Sequence, residues 1–138
     1  MRTNQAKAKI LNGGTAYGVF CTFFAPAVVE MMGHIGFDFV LIDAEHGPSG
    51  TESCEHMVRA AETVGIAPFI RVAVNIRQNI LRYLDIGSLG VQLPMVNNGA
   101  EAKGDTAQCV VVVSWPVSAG TFPAPAIGQV KERRNRNT

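Results

Sequence analysis

Four consecutive apolar residues, Phe39-Val40-Leu41-Ile42, run directly into Asp43, Glu45 and His46 and then into a Gly47-Pro48 turn. A strand that is apolar at every position, rather than at every second one, is covered on both faces. Strands of that kind belong to parallel α/β sheets, whose crossovers lay helices over the sheet. Ligands and catalytic groups collect at the C-terminal strand ends of such folds. This run puts three ionisable side chains, within four residues, at such an end.

The flanking sequence repeats the theme. Tyr17 to Phe23 reads as a first strand, and Pro26 opens a helix whose apolar face is Val28, Val29, Met31 and Met32. Gly33 and Gly36 bracket its end, as C-terminal glycines do. After the Phe39 to Asp43 strand, Thr51 is placed to cap a helix to about Val64, with Met57, Val58, Ala61 and Val64 on its buried side. Pro68 to Val72 follows as a third strand, then a helix from Ile76 to Leu84 capped by Asn75 and ended by Gly87. Gly90 to Pro94 makes a fourth strand, with a further short helix starting at Asn97 or Asn98. Four βα repeats without hairpin signals leave an open doubly wound sheet or a (β/α)8 barrel. Gly13-Gly14 precedes the first strand and lacks the spacing of a dinucleotide fingerprint. Beyond Lys103 the repeat stops. Val110 to Val113 is a candidate fifth strand, but the prolines at 116, 123 and 125 and the Lys131 to Arg136 run read as an extended or disordered, solvated tail.

Composition narrows the function. With 138 residues, 47% of them apolar and 17% charged, the chain suits one globular domain. A net charge of +1 argues against nucleic acid or an acidic membrane as a partner. Cys21, Cys54 and Cys109 form no close pair, so reduced thiols in a cytoplasmic protein are expected. No apolar stretch has a membrane span's length, and Met1 to Lys7 leads into no signal-peptide core.

Five residues stand out. An unperturbed imidazole titrates near neutrality, and His46 sits just past a strand end, so it is the candidate acid/base, against a plain loop histidine. Asp85 ends a helix, where a carboxylate opposes the helix dipole and needs a partner, an imidazole among the options. Arg71 ends an apolar strand and needs an anion. That anion is either a substrate carboxylate or enolate, or an internal carboxylate, Asp43 or Glu45. Asp43 and Glu45, two apart, suit a shared divalent cation or a pairing with Arg71 equally well. His34 and His56 have no partner pattern and are taken as structural.

The segment Gly18 to Ala102 resembles the HpcH/HpaI aldolases, the 2-keto-3-deoxy acid or 4-hydroxy-2-oxoacid aldolases. The likeness is carried by Pro26-Ala27-Val28-Val29-Glu30, Gly36 to Pro48, Pro68-Phe69-Ile70-Arg71-Val72, Leu84-Asp85-Ile86-Gly87 and Gly90 to Asn97, in that order. It implies a TIM barrel of the phosphoenolpyruvate/pyruvate type, here the first four to five βα units over residues 1–103, followed by a non-family tail at 104–138. It implies a class II aldehyde-lyase that cleaves a 4-hydroxy-2-oxo acid to pyruvate and an aldehyde with a divalent metal cation (Mg, Mn or Co). By the same likeness His46 is the base, Asp85 its carboxylate partner, Arg71 the substrate and enolate clamp, Glu45 a contact of the metal-bound water and Asp43 a supporting residue. A homo-oligomer is implied as well. The family's direct metal ligands, a Glu and an Asp, come from later strands, and no match to them is found. A full barrel takes about 250 residues, so the alternative reading is a catalytically inactive truncated member acting as a structural or interaction module.

Overall fold

The computed structural model describes residues 3–94, and the expectations for Asn97, Asn98, Val110 to Val113 and the 104–138 tail lie outside them. Its elements are α1 (Gln5–Leu11), β1 (Gly18–Cys21), α2 (Pro26–Ile35), β2 (Phe39–Asp43), α3 (Thr51–Thr63), β3 (Ala67–Arg71), α4 (Arg77–Asp85) and β4 (Val91–Gln92). The strands lie in the order β1-β2-β3-β4, all parallel. Each strand neighbours the next in sequence. A doubly wound sheet reverses direction at a switch point, and this one does not. It is a segment of a (β/α)8 barrel, as the resemblance implied.

Alternation across the pleat sorts the strand residues into two sets. Val40, Ile42, Ile70 and Val91 face the helices and join Val29 of α2, Cys54, Met57 and Val58 of α3, and Ile80 and Tyr83 of α4 in one buried cluster. Each such side chain contributes about 1.5–3 kcal/mol relative to exposure. The other set, Phe39, Leu41 and Asp43 on β2, Phe69 and Arg71 on β3 and Gln92 on β4, faces the barrel side. At the N-terminal end of that side, Phe39 and Phe69 pack edge to face at 5.6 Å over Ala6, Ala16 and Ala67. Helix α1 is tied there by Lys9 Nζ to Asp38 at 2.8 Å, and Asp38 also accepts from the Tyr17 backbone N–H at 2.7 Å. The apolar floor is therefore at one end of the strands, and the polar residues gather at the other.

Several local expectations change. Helix α1 was not foreseen; Asn4 caps it by accepting from the Lys7 N–H at 2.9 Å. Thr51 is the first residue of α3 rather than its cap, which is Gly50, and α4 is capped by Ile76 rather than Asn75, both without a side-chain bond. In α2, Val29 is buried but Met31 is exposed, because the helix turns that position to solvent. Gly36 does end α2, in the left-handed conformation at φ 102° that glycine adopts without strain. Among the described residues no helix is long and apolar enough to cross a membrane.

Candidate functional site

Asp43 ends β2 with its side chain fully buried. Its Oδ1 accepts from the backbone N–H groups of Glu45 at 3.0 Å and His46 at 3.2 Å, which folds the loop after the strand back over it. The same oxygen accepts from Arg71 Nε at 2.9 Å, and Oδ2 accepts from Arg71 Nη2. This is the bidentate fork that guanidinium and carboxylate geometry favour. Burial alone raises the Asp43 carboxyl. The Arg71 hydrogen bonds, the two loop N–H groups and the Arg71 charge outweigh it and hold the pKa below the ordinary carboxylate value. Gly47 lets the loop close, since an added Cβ would strike the Thr22 carbonyl beyond β1.

Arg71 comes from the paired position at the end of β3. Its guanidinium lies 5.2 Å from the Phe20 ring centre, a cation–π distance, and its Nη2 lies 2.8 Å from His46 Nδ1. Guanidinium nitrogens only donate, so His46 Nδ1 is the acceptor. A neutral ring in that role carries its proton on Nε2, away from Arg71. His46 itself is exposed. His46 and Arg71, 25 positions apart in sequence, are therefore in contact above adjacent strands.

Glu45 completes the cluster, with Oε2 at 3.3 Å from Arg71 Nε and 3.5 Å from His46 Nδ1. The open alternatives for Arg71 resolve toward both internal carboxylates at once. One ligand atom each of Asp43, Glu45 and His46 falls within 4.8 Å of the others, a candidate group for a divalent cation. As a cation site the set is incomplete. Both Asp43 oxygens and His46 Nδ1 already face Arg71, and that guanidinium occupies the space between them.

Asp85, expected beside His46, is exposed in the last turn of α4 and makes no side-chain hydrogen bond or ion pair among the described residues. The carboxylates nearest His46 are Glu45 and, at 3.9 Å, Asp43. His34 is exposed in the last turn of α2. His56 packs edge-on against Phe24 at 6.3 Å, in an open cavity of about 350 Å³ between α2 and α3, away from the cluster. Sequence reading missed two contributors, Phe20 and Gln92. Gln92 pairs with Arg71 in the β3–β4 register and is buried beside it. The signal was there: a lone amide between Val91 and Leu93 in an otherwise apolar strand.

Comparisons with known proteins bear on the family of the chain. The family model described as HpcH/HpaI aldolase/citrate lyase matches residues 16–112. A 2-dehydro-3,6-dideoxy-6-sulfogluconate aldolase of Pseudomonas putida is 34% identical over 99 residues, 72% of this chain and 37% of the relative. A pyruvate aldolase of Rhizobium etli is 34% identical over 104 residues, covering 75% and 41%. Among solved structures, the citrate synthase SbnG superposes with a TM-score of 0.66 at 35% identity, over 70% of this chain and 39% of that one. An HpcH/HpaI aldolase from Desulfitobacterium hafniense gives 0.66 at 26% identity, over 70% and 38%. The chain thus spans about two fifths of the length of these relatives.

Proposed function

Because this chain belongs to the HpcH/HpaI aldolase/citrate lyase family, we propose that its Arg71–His46 cluster is the 2-oxo-acid end of an aldolase site, in a protein that cleaves a 4-hydroxy-2-oxo acid to pyruvate and an aldehyde. One observation supports this above the rest: the 2.8 Å contact between Arg71 Nη2 and His46 Nδ1 at the C-terminal ends of β2 and β3. Arg71 meets the keto acid through its fork of donors, held in place by Asp43 and by the Phe20 ring. As Arg71 Nη2 turns toward the substrate oxygen, His46 Nδ1 is released. It then takes the 4-hydroxyl proton, directly or through water. Substrate binding and exposure of the base are thereby one event. Asp85 enters as the partner of His46 only if the α4 end or the loop after β2 moves.

Charge supports a cation requirement. Asp43 and Glu45 together outnumber Arg71 by one charge, so an anionic keto acid meets a site short of positive charge. A divalent cation (magnesium, manganese or cobalt) would make up the difference, and Glu45 is the carboxylate of this cluster that would help to hold its water. The reading also includes a cytoplasmic homo-oligomer with a small-molecule substrate. The test is pyruvate release from a 4-hydroxy-2-oxo acid, with magnesium or manganese and after chelation. Release that chelation abolishes and that Arg71→Ala loses is expected. Equal release by Arg71→Ala rejects the assigned role.

A further inference from the structure

The loop that carries His46, residues 44–50, runs from the end of β2 to the start of α3. Near its start it is pinned twice. Asp43 Oδ1 accepts from the Glu45 and His46 N–H groups, and Gly47 packs against the Thr22 carbonyl. Its far end is held differently. The α3 cap, Gly50, makes no side-chain bond, and a Cβ added there would meet nothing within 4 Å. The anchor at that end is Thr51, whose hydroxyl shares a hydrogen bond with that of Tyr83. Tyr83 belongs to α4 and is 6% exposed, within the helix-side cluster that also holds Cys54, Met57 and Ile80. In a parallel α/β fold the helices run back against the strands, so α3 and α4 both begin at the mouth end. Helical side chains lean toward the N-terminus of their own helix. The Tyr83 phenol therefore reaches from the core toward the mouth, where α3 starts. A purely apolar side chain would fill the same core position; the hydroxyl serves Thr51.

We propose that Tyr83 is a positioning residue for His46: by holding Thr51 it fixes the far end of the loop and keeps His46 Nδ1 against Arg71. The Asp43–Arg71 pair joins two strand ends and does not depend on this tether. The imidazole is borne by the loop alone, so it is the group that a loosened loop displaces. Tyr83 acts from the helix side of the sheet, away from the mouth and any substrate. The role as a positioning residue rests on the reading of His46 as the base.

The experiment compares the whole chain with Tyr83→Phe, Thr51→Val and Thr51→Ser, by amide hydrogen exchange and by the ring-nitrogen signals of His46. In Tyr83→Phe, which removes only the hydroxyl, the Glu45 and His46 amides are expected to exchange about fivefold faster, the effect of one lost hydrogen bond. Loop amides exchange by local opening, which a fall in global stability alone does not change. The His46 Nδ1 signal is expected to move toward that of a free histidine. Thr51→Val should reproduce both changes, and Thr51→Ser, which keeps a hydroxyl, should behave as the native chain. Tyr83→Phe combined with Thr51→Val should be no worse than either alone, since both remove one bond. Native loop exchange and a native His46 signal in Tyr83→Phe overturn the proposal, even if that variant melts earlier. So does a double variant whose effect is the product of the two single ones. Neither measurement needs substrate or metal, so failure here is separate from failure of the pyruvate-release test, which bears on His46 as the base.

Discussion

Asp43→Asn is the substitution that most severely tests the construction of the site. It keeps the shape of the side chain and removes its charge. Asp43 is fully buried and Arg71 is 17% exposed, so solvent screens their interaction little. Breaking a pair of this kind leaves a desolvated cation and typically costs 3–5 kcal/mol. Glu45 at 3.3 Å from Arg71 Nε remains as a partial counter-charge. That moves the expected loss to the lower end, about 3 kcal/mol. Urea unfolding of both proteins at neutral pH measures it. A pH series then checks the cause. The Asp43 carboxyl is held below its ordinary value in the folded chain, against about 3.9 when unfolded. Its ionised form therefore stabilises the fold fully above about pH 4. That contribution is lost as pH falls through the lower, folded value. The gap between native and Asp43→Asn should be widest near neutrality and shrink in acid. A gap below about 1 kcal/mol, or one that persists unchanged in acid, refutes the claim that this ion pair anchors the site.

Other perturbations probe separate parts. Arg71→Lys keeps the charge but not the fork, and should reduce pyruvate release roughly a hundredfold while leaving the fold intact by circular dichroism. Gly47→Ala drives a methyl group toward the Thr22 carbonyl; denaturant unfolding should show a loss of about 1–3 kcal/mol. Burial, with the Asp43 charge adding to it, pushes the Cys54 thiol up to about 11. In a Cys109→Ser background, iodoacetamide at mildly alkaline pH should therefore leave Cys54 unmodified until the chain is unfolded. Met57→Ala, in the centre of the helix-side cluster, should cost about 2–5 kcal/mol by calorimetry.

The legible part of this chain was the part fixed by local pattern. The unbroken Phe39 to Ile42 run marked β2, and Gly36 marked the end of α2, because burial on two faces and a left-handed cap each leave a direct trace in residue type. The buried side of α3 followed from spacing: Met57, Val58 and Ala61 are all in the core. The positions of His46 and Arg71 at strand ends followed from the same logic. What they touch did not, since Arg71 had a substrate anion and two internal carboxylates open to it, and only register decides. Helix α1 escaped because it is seven residues long with one buried side chain, Ala6, and depends on a Lys9–Asp38 contact made 29 positions away. The cap expected at Asn75 failed because the chain turns one residue later, at Ile76. Asp85 was expected at the site on resemblance and a helix-dipole argument; neither fixes which way the end of α4 faces.

The central claim is that an imidazole and a guanidinium share one mouth, with Nδ1 of His46 turned to Arg71. Nitrogen-detected NMR of the histidine rings, recorded before and after adding pyruvate with magnesium, tests it most directly. The account predicts that neutral His46 carries its proton on Nε2 and that its Nδ1 signal moves on addition, with the movement absent in Arg71→Ala. A His46 signal that matches a free solvent-exposed histidine, and that ignores both pyruvate and the loss of Arg71, contradicts it.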